Sequence, residues 1–131
     1  MNKNELLSGV ADTLYIPLVA RVYASEKFPN FFYDEKALSL KQHIPTNSIE
    51  SNTTEYFYMA SVCRQQTIDK KIISFIEKNN ECNIVFLGAG LETSYNRIKN
   101  VKVNFYQIDL PDVIIVRKKV LGNADNERLI A

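Results

Sequence analysis

The stretch NIVFLGAG, residues 83–90, decides the fold class of this chain. Its first five residues form a short, unbroken run rich in β-formers, which predicts a strand buried on both faces. Gly88 and Gly90 follow at once, and glycine lets the backbone turn sharply while leaving no Cβ in the way of a ligand. The stretch therefore predicts the first strand and the ligand-accepting bend of an open α/β sheet.

The sequence after this bend alternates between helix and strand. A helix begins near Glu92 and runs towards Ile98, and residues 101–108 (VKVNFYQI) predict a second strand. Pro111 suits the first turn of another helix, with a C-cap at residues 122–123. The alternation predicts a parallel sheet. We expect the chain to supply two of its strands and to end where a third would begin.

The first part of the sequence has a helical pattern with breaks. Pro17 is tolerated in a first turn but is costly deeper in a helix, so the first helix is expected either to begin near Ile16 or to kink there. Residues 28–30 (FPN) break it, and Asp34 can cap a short helix that follows. Residues 43–52 are expected to form a loop.

A longer helix follows this loop. Thr53 or Thr54 can act as its N-cap, and residues 78–80 (KNN) end it. We therefore predict one partial domain over residues 1–131 with an α/β fold. Residues 1–80 form a helical cap and N-terminal helices, and residues 81–131 form the opening β-α-β-α of a parallel sheet.

Composition argues against several classes of function. The hydrophobic fraction of 46% is enough for a core, and the formal net charge of +1 gives no electrostatic case for nucleic acid or for an acidic membrane surface. The basic residues 117–119 are expected to lie on the solvated face of a helix. No apolar stretch approaches the length of a membrane span. We expect a soluble, cytoplasmic protein.

The cysteine and histidine content does not suit a metal site. Cys63, Cys82 and the single histidine, His43, cannot by themselves assemble a Cys/His zinc site. We expect no metal and two buried, reduced thiols. His43 is interpreted as a loop residue rather than a catalytic base.

The residues that carry chemistry are the glycine bend and an acidic residue on the next strand. Asp109 lies 21 residues after Gly88, and a carboxylate at that spacing can accept hydrogen bonds from both hydroxyls of a ribose. The helix after the bend is expected to offer free N–H groups. A dinucleotide motif has a third glycine where this chain has Thr93. The pattern favours an adenosine-type cofactor without a pyrophosphate, and an NAD-type dehydrogenase domain stays open as the alternative.

Two blocks of sequence resemble a known family. Residues 84–93 (IVFLGAGLET) are similar to the first cofactor motif of the leucine carboxyl methyltransferase family, which includes polyketide O-methyltransferases, and residues 106–114 (YQIDLPDVI) resemble its second motif. Glu92 stands where the family usually has aspartate. The resemblance implies a Rossmann-like class I methyltransferase fold. It also implies S-adenosylmethionine-dependent methyl transfer to a carboxylate or to a hydroxyl of a small molecule.

The resemblance also implies a set of cofactor contacts. Arg64, on the long helix, matches the arginine that holds the cofactor carboxylate, and Arg21 matches another basic contact. The remaining contacts implied lie at the bend and after the second strand: Gly88, Ala89, Gly90, Asp109 and Leu110. No residue is predicted to be a catalytic base.

The resemblance covers only the opening half of the family's domain, so we expect a fragment or a part of a longer protein. Two parallel strands leave apolar surface uncovered. A second alternative is therefore a non-catalytic remnant that forms homo-oligomers through this surface.

Overall fold

The computed structural model describes residues 12–44, 54–100 and 102–131. The chain divides into two compact units, Met1–Gln66 and Thr67–Ala131. Within the described residues, no helix is both long enough and apolar enough to cross a bilayer.

The first unit is helical, as predicted. It contains α1 (Ile16–Lys27), α2 (Glu35–Leu40) and the first part of a long helix, α3 (Glu55–Lys78). Short 3-10 turns lie at Asp12–Leu14 and Lys41–His43.

The predicted helix boundaries in this unit are confirmed where the structure describes them. Proline at the start of α1 is placed in its first turn. The Asp34 carboxylate accepts a hydrogen bond from Ala37 N at 2.8 Å and so caps α2. Thr54 Oγ1 accepts one from Phe57 N at 3.3 Å. The alternative cap, Thr53, and most of the predicted loop lie outside the described residues.

The second unit is a three-stranded parallel sheet with helical connections. Its elements after α3 are β1 (Asn83–Leu87), α4 (Ser94–Ile98), β2 (Asn104–Ile108), α5 (Pro111–Leu121) and β3 (Glu127–Ile130). The strand order is β1-β2-β3, and both neighbouring pairs are parallel. This confirms the predicted α/β class, with a helical region followed by a Rossmann-like parallel sheet.

The expectation of only two strands was wrong. β3 pairs with β2 over four residues, from Phe105 opposite Glu127 to Ile108 opposite Ile130. The sequence of β3, ERLI, begins with two charged residues and has too few apolar ones to show a strand pattern. These residues form a strand because they pair with β2, and their own sequence does not indicate one.

The prediction that β1 is buried on both faces was also wrong. One face packs into a core formed by Ile84, Val103 and Phe105, with Ile72 and Ile76 of α3 against it. On the other face, Val85, Leu87 and Ile130 are exposed, Leu87 at 79%. An apolar run by itself does not tell whether one or both faces of a strand are covered.

The prediction that both cysteines are buried was likewise wrong. Cys63 is exposed on α3, Cys82 is half-buried, and no disulfide joins them. Cys63 belongs to the apolar pattern of α3, so this pattern alone does not tell which of its positions are covered.

Candidate functional site

The bend after β1 adopts a conformation that favours glycine. Gly88 and Gly90 have φ angles of +67° and +50°, in the left-handed region. The N–H groups of Gly88 and Ala89 both donate to the carbonyl of Ile108, at 2.9 and 3.1 Å. The bend is therefore tied to the carboxyl end of β2.

Asp109 follows β2 and lies against this bend. Its Oδ2 accepts a hydrogen bond from Gly90 N at 2.7 Å, and its Oδ1 accepts one from Leu110 N at 2.7 Å. A carboxylate has about four acceptor sites, so each oxygen retains capacity for a further donor. The closeness of Asp109 to the bend, expected from their spacing, is present in the structure.

The space beside the bend suits a ligand that lies on bare backbone. A Cβ built on Gly88 meets no atom within 4 Å, and the side chain of Leu110 is 70% exposed. An open glycine next to a carboxylate fits the chemistry of a nucleoside sugar, which offers hydroxyl donors and carries no charge. S-Adenosylmethionine and NAD both contain such a sugar, and only NAD adds a pyrophosphate, which needs N–H donors.

The start of α4 does not offer the free N–H groups expected from the sequence. Glu92 Oε1 accepts hydrogen bonds from the N–H groups of Thr93 and Ser94, both at 2.7 Å. The helix is only five residues long. Two of its first donors are thus occupied by the chain itself, because the side chain of Glu92 folds back onto the turn that follows it.

A cluster of polar side chains, formed by Asp69, Ser94 and Arg97, holds Glu92 in this position. Arg97 Nη2 lies 3.1 Å from Glu92 Oε1, and Arg97 Nε lies 2.7 Å from Asp69 Oδ2. Ser94 Oγ donates to Asp69 Oδ1 at 2.7 Å. Glu92 therefore acts locally as a cap and an ion-pair partner.

The interpretation of Arg117 as a solvated residue was wrong, although Lys118 and Lys119 are exposed. The Arg117 side chain is 1% exposed and donates to the carbonyl oxygens of Gly90 and Glu92. A signal was present in the sequence. Arg117 lies three residues after Ile114, and therefore on the apolar stripe of α5.

Arg21 and Arg64 belong to the first compact unit. Arg21 is 3% exposed and pairs with Asp34, with Nε and Oδ2 3.2 Å apart. Arg64 is exposed on α3. The structure brings together the predicted contacts of the second unit, namely Gly88, Ala89, Gly90, Asp109 and Leu110, while each arginine is described within its own unit. Their contacts with a cofactor stay predictions.

No metal-binding constellation is present within residues 12–44, 54–100 and 102–131, where no group of three or more His, Cys, Asp or Glu residues is placed to hold an ion.

Comparison with known proteins identifies one family. The sequence profile described as leucine carboxyl methyltransferase matches residues 10–128. No curated protein and no solved structure matches the chain. The matched region includes both glycines of the bend, Asp109 and the two candidate arginines.

Proposed function

The chain belongs to the leucine carboxyl methyltransferase family, and on that premise we propose that it binds S-adenosylmethionine at the glycine bend and transfers the methyl group to an oxygen atom of a small-molecule acceptor. Membership of the family implies methyl transfer from S-adenosylmethionine. The observation that supports this site is the hydrogen bond from Gly90 N to Asp109 Oδ2. It places the Asp109 carboxylate, which would accept hydrogen bonds from the ribose, directly beside the open bend.

Each residue of the proposed site has a separate task. Asp109 accepts hydrogen bonds from the ribose hydroxyls, and its fixed orientation limits the entropy lost on binding. The tail of the cofactor lies over Gly88, where no side chain intervenes, and Leu110 offers apolar contact beside it. Arg64, which is exposed on α3, is the proposed partner of the cofactor carboxylate.

Arg21 is the weaker of the two proposed basic contacts. Its guanidinium is buried and already pairs with Asp34. A guanidinium has five N–H donors, so a further contact is chemically compatible with this pair. We retain Arg21 as a proposed contact that acts beside its ion pair.

The chemistry demands little of the protein beyond orientation. When bound, the cofactor supplies a methyl group on a positively charged sulfur, which is already a strong electrophile. The chain positions this group against an acceptor oxygen. A carboxylate acceptor needs no base, whereas a hydroxyl acceptor is helped by one. We assign no catalytic residue.

Calorimetry on the whole chain tests the proposal. We expect S-adenosylmethionine and S-adenosylhomocysteine to bind and NAD not to bind. Asp109→Asn should weaken binding about tenfold, because it replaces a charged acceptor of two ribose hydrogen bonds with a neutral one. Asp125→Asn, at an exposed turn, is the matched control and should have no effect. Binding of NAD alone would overturn the proposal in favour of a dehydrogenase domain.

A second candidate function rests on the uncovered face of the sheet. Val85, Leu87 and Ile130 are exposed together there, and such a surface is a candidate for association with a second copy of the chain. A non-catalytic remnant would form oligomers and bind none of the three ligands. Light scattering across a concentration series distinguishes it, and Leu87→Glu should abolish any oligomer formed through this face.

We also propose that the protein is cytoplasmic. Cys63 is exposed and is not joined to Cys82. An exposed thiol in this state suits a reducing compartment.

A further inference from the structure

Arg117 connects the proposed cofactor bend to the interior of the second unit. Its Nη1 donates to the carbonyl of Gly90 at 3.1 Å and to the carbonyl of Glu92 at 2.7 Å. Its Nη2 donates to Glu127 Oε1 at 2.9 Å. One guanidinium therefore joins two peptide groups of the bend region to a carboxylate on β3.

The far end of this contact is itself held firmly. Glu127 Oε1 also accepts a hydrogen bond from Gln107 Nε2 on β2, at 3.1 Å. All three side chains are buried. A buried guanidinium is tolerated only when a carboxylate and further acceptors replace the hydrogen bonds that it made to water. Glu127 is the carboxylate here, and the two backbone carbonyls are the further acceptors. The position of Arg117 is thus determined by α5, β2 and β3 together.

Gly90 is held from both of its backbone groups. Its N–H donates to Asp109 Oδ2 at 2.7 Å, and its carbonyl accepts from Arg117. With a φ of +50°, glycine has other backbone conformations of similar energy available to it. Two opposed hydrogen bonds select one of them, and the Gly90 N–H in turn orients the Asp109 carboxylate.

From this arrangement we infer that Arg117 is a positioning residue of the cofactor site, which holds the Gly90 peptide so that Asp109 presents its carboxylate to the ribose. The inference rests on the proposed function. The Arg117 guanidinium is buried, and it donates to two carbonyl oxygens and a carboxylate of the chain itself. It acts through Gly90 and Asp109, and binding at the bend depends on its planar, multidentate geometry rather than on its charge alone.

The test uses Arg117→Lys in the whole chain, because lysine keeps the positive charge and loses the fork that reaches both carbonyls and Glu127. Asn126→Ala is the matched control. Asn126 Nδ2 donates to the carbonyls of Asn100 and Val103, so its loss also destabilises this unit without touching the bend. Circular dichroism establishes the temperature at which both variants are folded.

The first readout is hydrogen exchange of the Gly90 amide relative to the Gly88 amide, which is held by Ile108 O instead. The chain has four glycines in all, so these resonances are readily assigned. We expect Arg117→Lys to raise the Gly90-to-Gly88 exchange ratio about tenfold, which corresponds to about 1.4 kcal/mol. Asn126→Ala should leave the ratio unchanged. A ratio unaffected by Arg117→Lys would overturn the inference.

The second readout is the affinity for S-adenosylmethionine. We expect Arg117→Lys to weaken it about tenfold and Asn126→Ala to change it less than about twofold. Equal losses in the two variants would mean that Arg117 serves stability alone, and this would overturn the inference. If the natural chain binds no S-adenosylmethionine, the proposed function fails, while the exchange ratio still tests whether Arg117 holds the bend. Should Arg117→Lys not fold, Glu127→Gln replaces it, because this change loosens Arg117 from the opposite end.

Discussion

Each compact unit contains a buried arginine that is paired with a carboxylate, and the two arginines serve different ends. In the first unit, Arg21 pairs with Asp34 at 3.2 Å, and Asp34 also caps α2. In the second, Arg117 pairs with Glu127 at 2.9 Å and donates to the carbonyl oxygens of Gly90 and Glu92. The partner of Arg21 stabilises the start of a helix, whereas Arg117 itself donates hydrogen bonds to the backbone of the proposed cofactor bend.

The comparison shows that a basic residue is informative about function only once its burial and partners are known. The resemblance to the family selects Arg21 as a ligand contact, and the charge pattern treats Arg117 as a surface residue. In the structure both guanidinium groups are buried. Their charged partners set what each does, because a buried charge must be compensated locally.

The largest expected effect comes from breaking the pair in the first unit. Asp34→Ala removes the partner of a buried guanidinium, at a cost of about 3–5 kcal/mol, and removes the α2 cap, at about 1 kcal/mol. Asp34→Asn keeps a capping side chain and so isolates the effect of charge. Urea denaturation followed by circular dichroism measures both. If Arg21 serves mainly as a ligand contact, neither change will lower the free energy of unfolding by more than about 1 kcal/mol, and the contrast with Arg117 will be lost.

A smaller effect is expected at the bend that Arg117 holds. Gly88→Ala places a residue with a Cβ at φ +67°, which costs about 1–2 kcal/mol of stability. Its methyl group also enters the open space beside the bend, so affinity for S-adenosylmethionine should fall.

Gly122→Ala is the matched control for this change. Gly122 also has a positive φ and open space around its Cβ position, and it ends α5. Its substitution should lower stability at least as much, because φ 76° with ψ −160° is accessible essentially to glycine alone. Cofactor affinity should not change. Equal losses of affinity in the two variants would argue against a site at the bend.

The smallest effect concerns a hydrogen bond of the second unit in which Arg117, Gly90 and Asp109 take no part. Tyr95 donates to Asn126 Oδ1 at 2.7 Å, and burial, followed by the charges of Glu127 and Asp125, raises the pKa of Tyr95 above 10.0. A raised pKa means that the protonated phenol is favoured in the folded state. This stabilisation is therefore complete below pH 10 and lost as pH rises through the folded-state value.

Tyr95→Phe should make the free energy of unfolding depend less steeply on pH above pH 10. It should leave cofactor affinity at neutral pH unchanged. Denaturation curves at a series of alkaline pH values measure the first quantity, and calorimetry measures the second. A loss of affinity in this variant would mean that contacts away from Arg117 also control the bend.

Features that depend on neighbours in sequence were predicted well. The Asp34 cap, the break after α1 and the glycine at the end of α5 each follow from the conformational preferences of one or two residues. The closeness of Asp109 to the bend followed from a rule about parallel strands, whose carboxyl ends lie at one edge of the sheet.

Features that depend on distant partners were missed. β3 is a strand because β2 offers it a ladder of hydrogen bonds, and its own residues show little pattern. The contact of Glu92 with the first amides of α4 is local, but Arg97, which pairs with Glu92, is itself paired with Asp69 on α3, 28 residues away. Cys63 is exposed on α3, and the burial of a helix residue depends on which other elements pack against it.

By itself, the sequence determined the α/β class, the order of helices and strands through β2 and α5, and the family to which the chain belongs. These depend on local backbone preferences and on short motifs, which are properties of adjacent residues. Only the tertiary structure decided that Arg117 is buried beneath the bend, that Arg21 is paired with Asp34 and that one sheet face is open. Burial and charge pairing arise between residues far apart in the chain, and their energies depend on which groups the fold removes from water together.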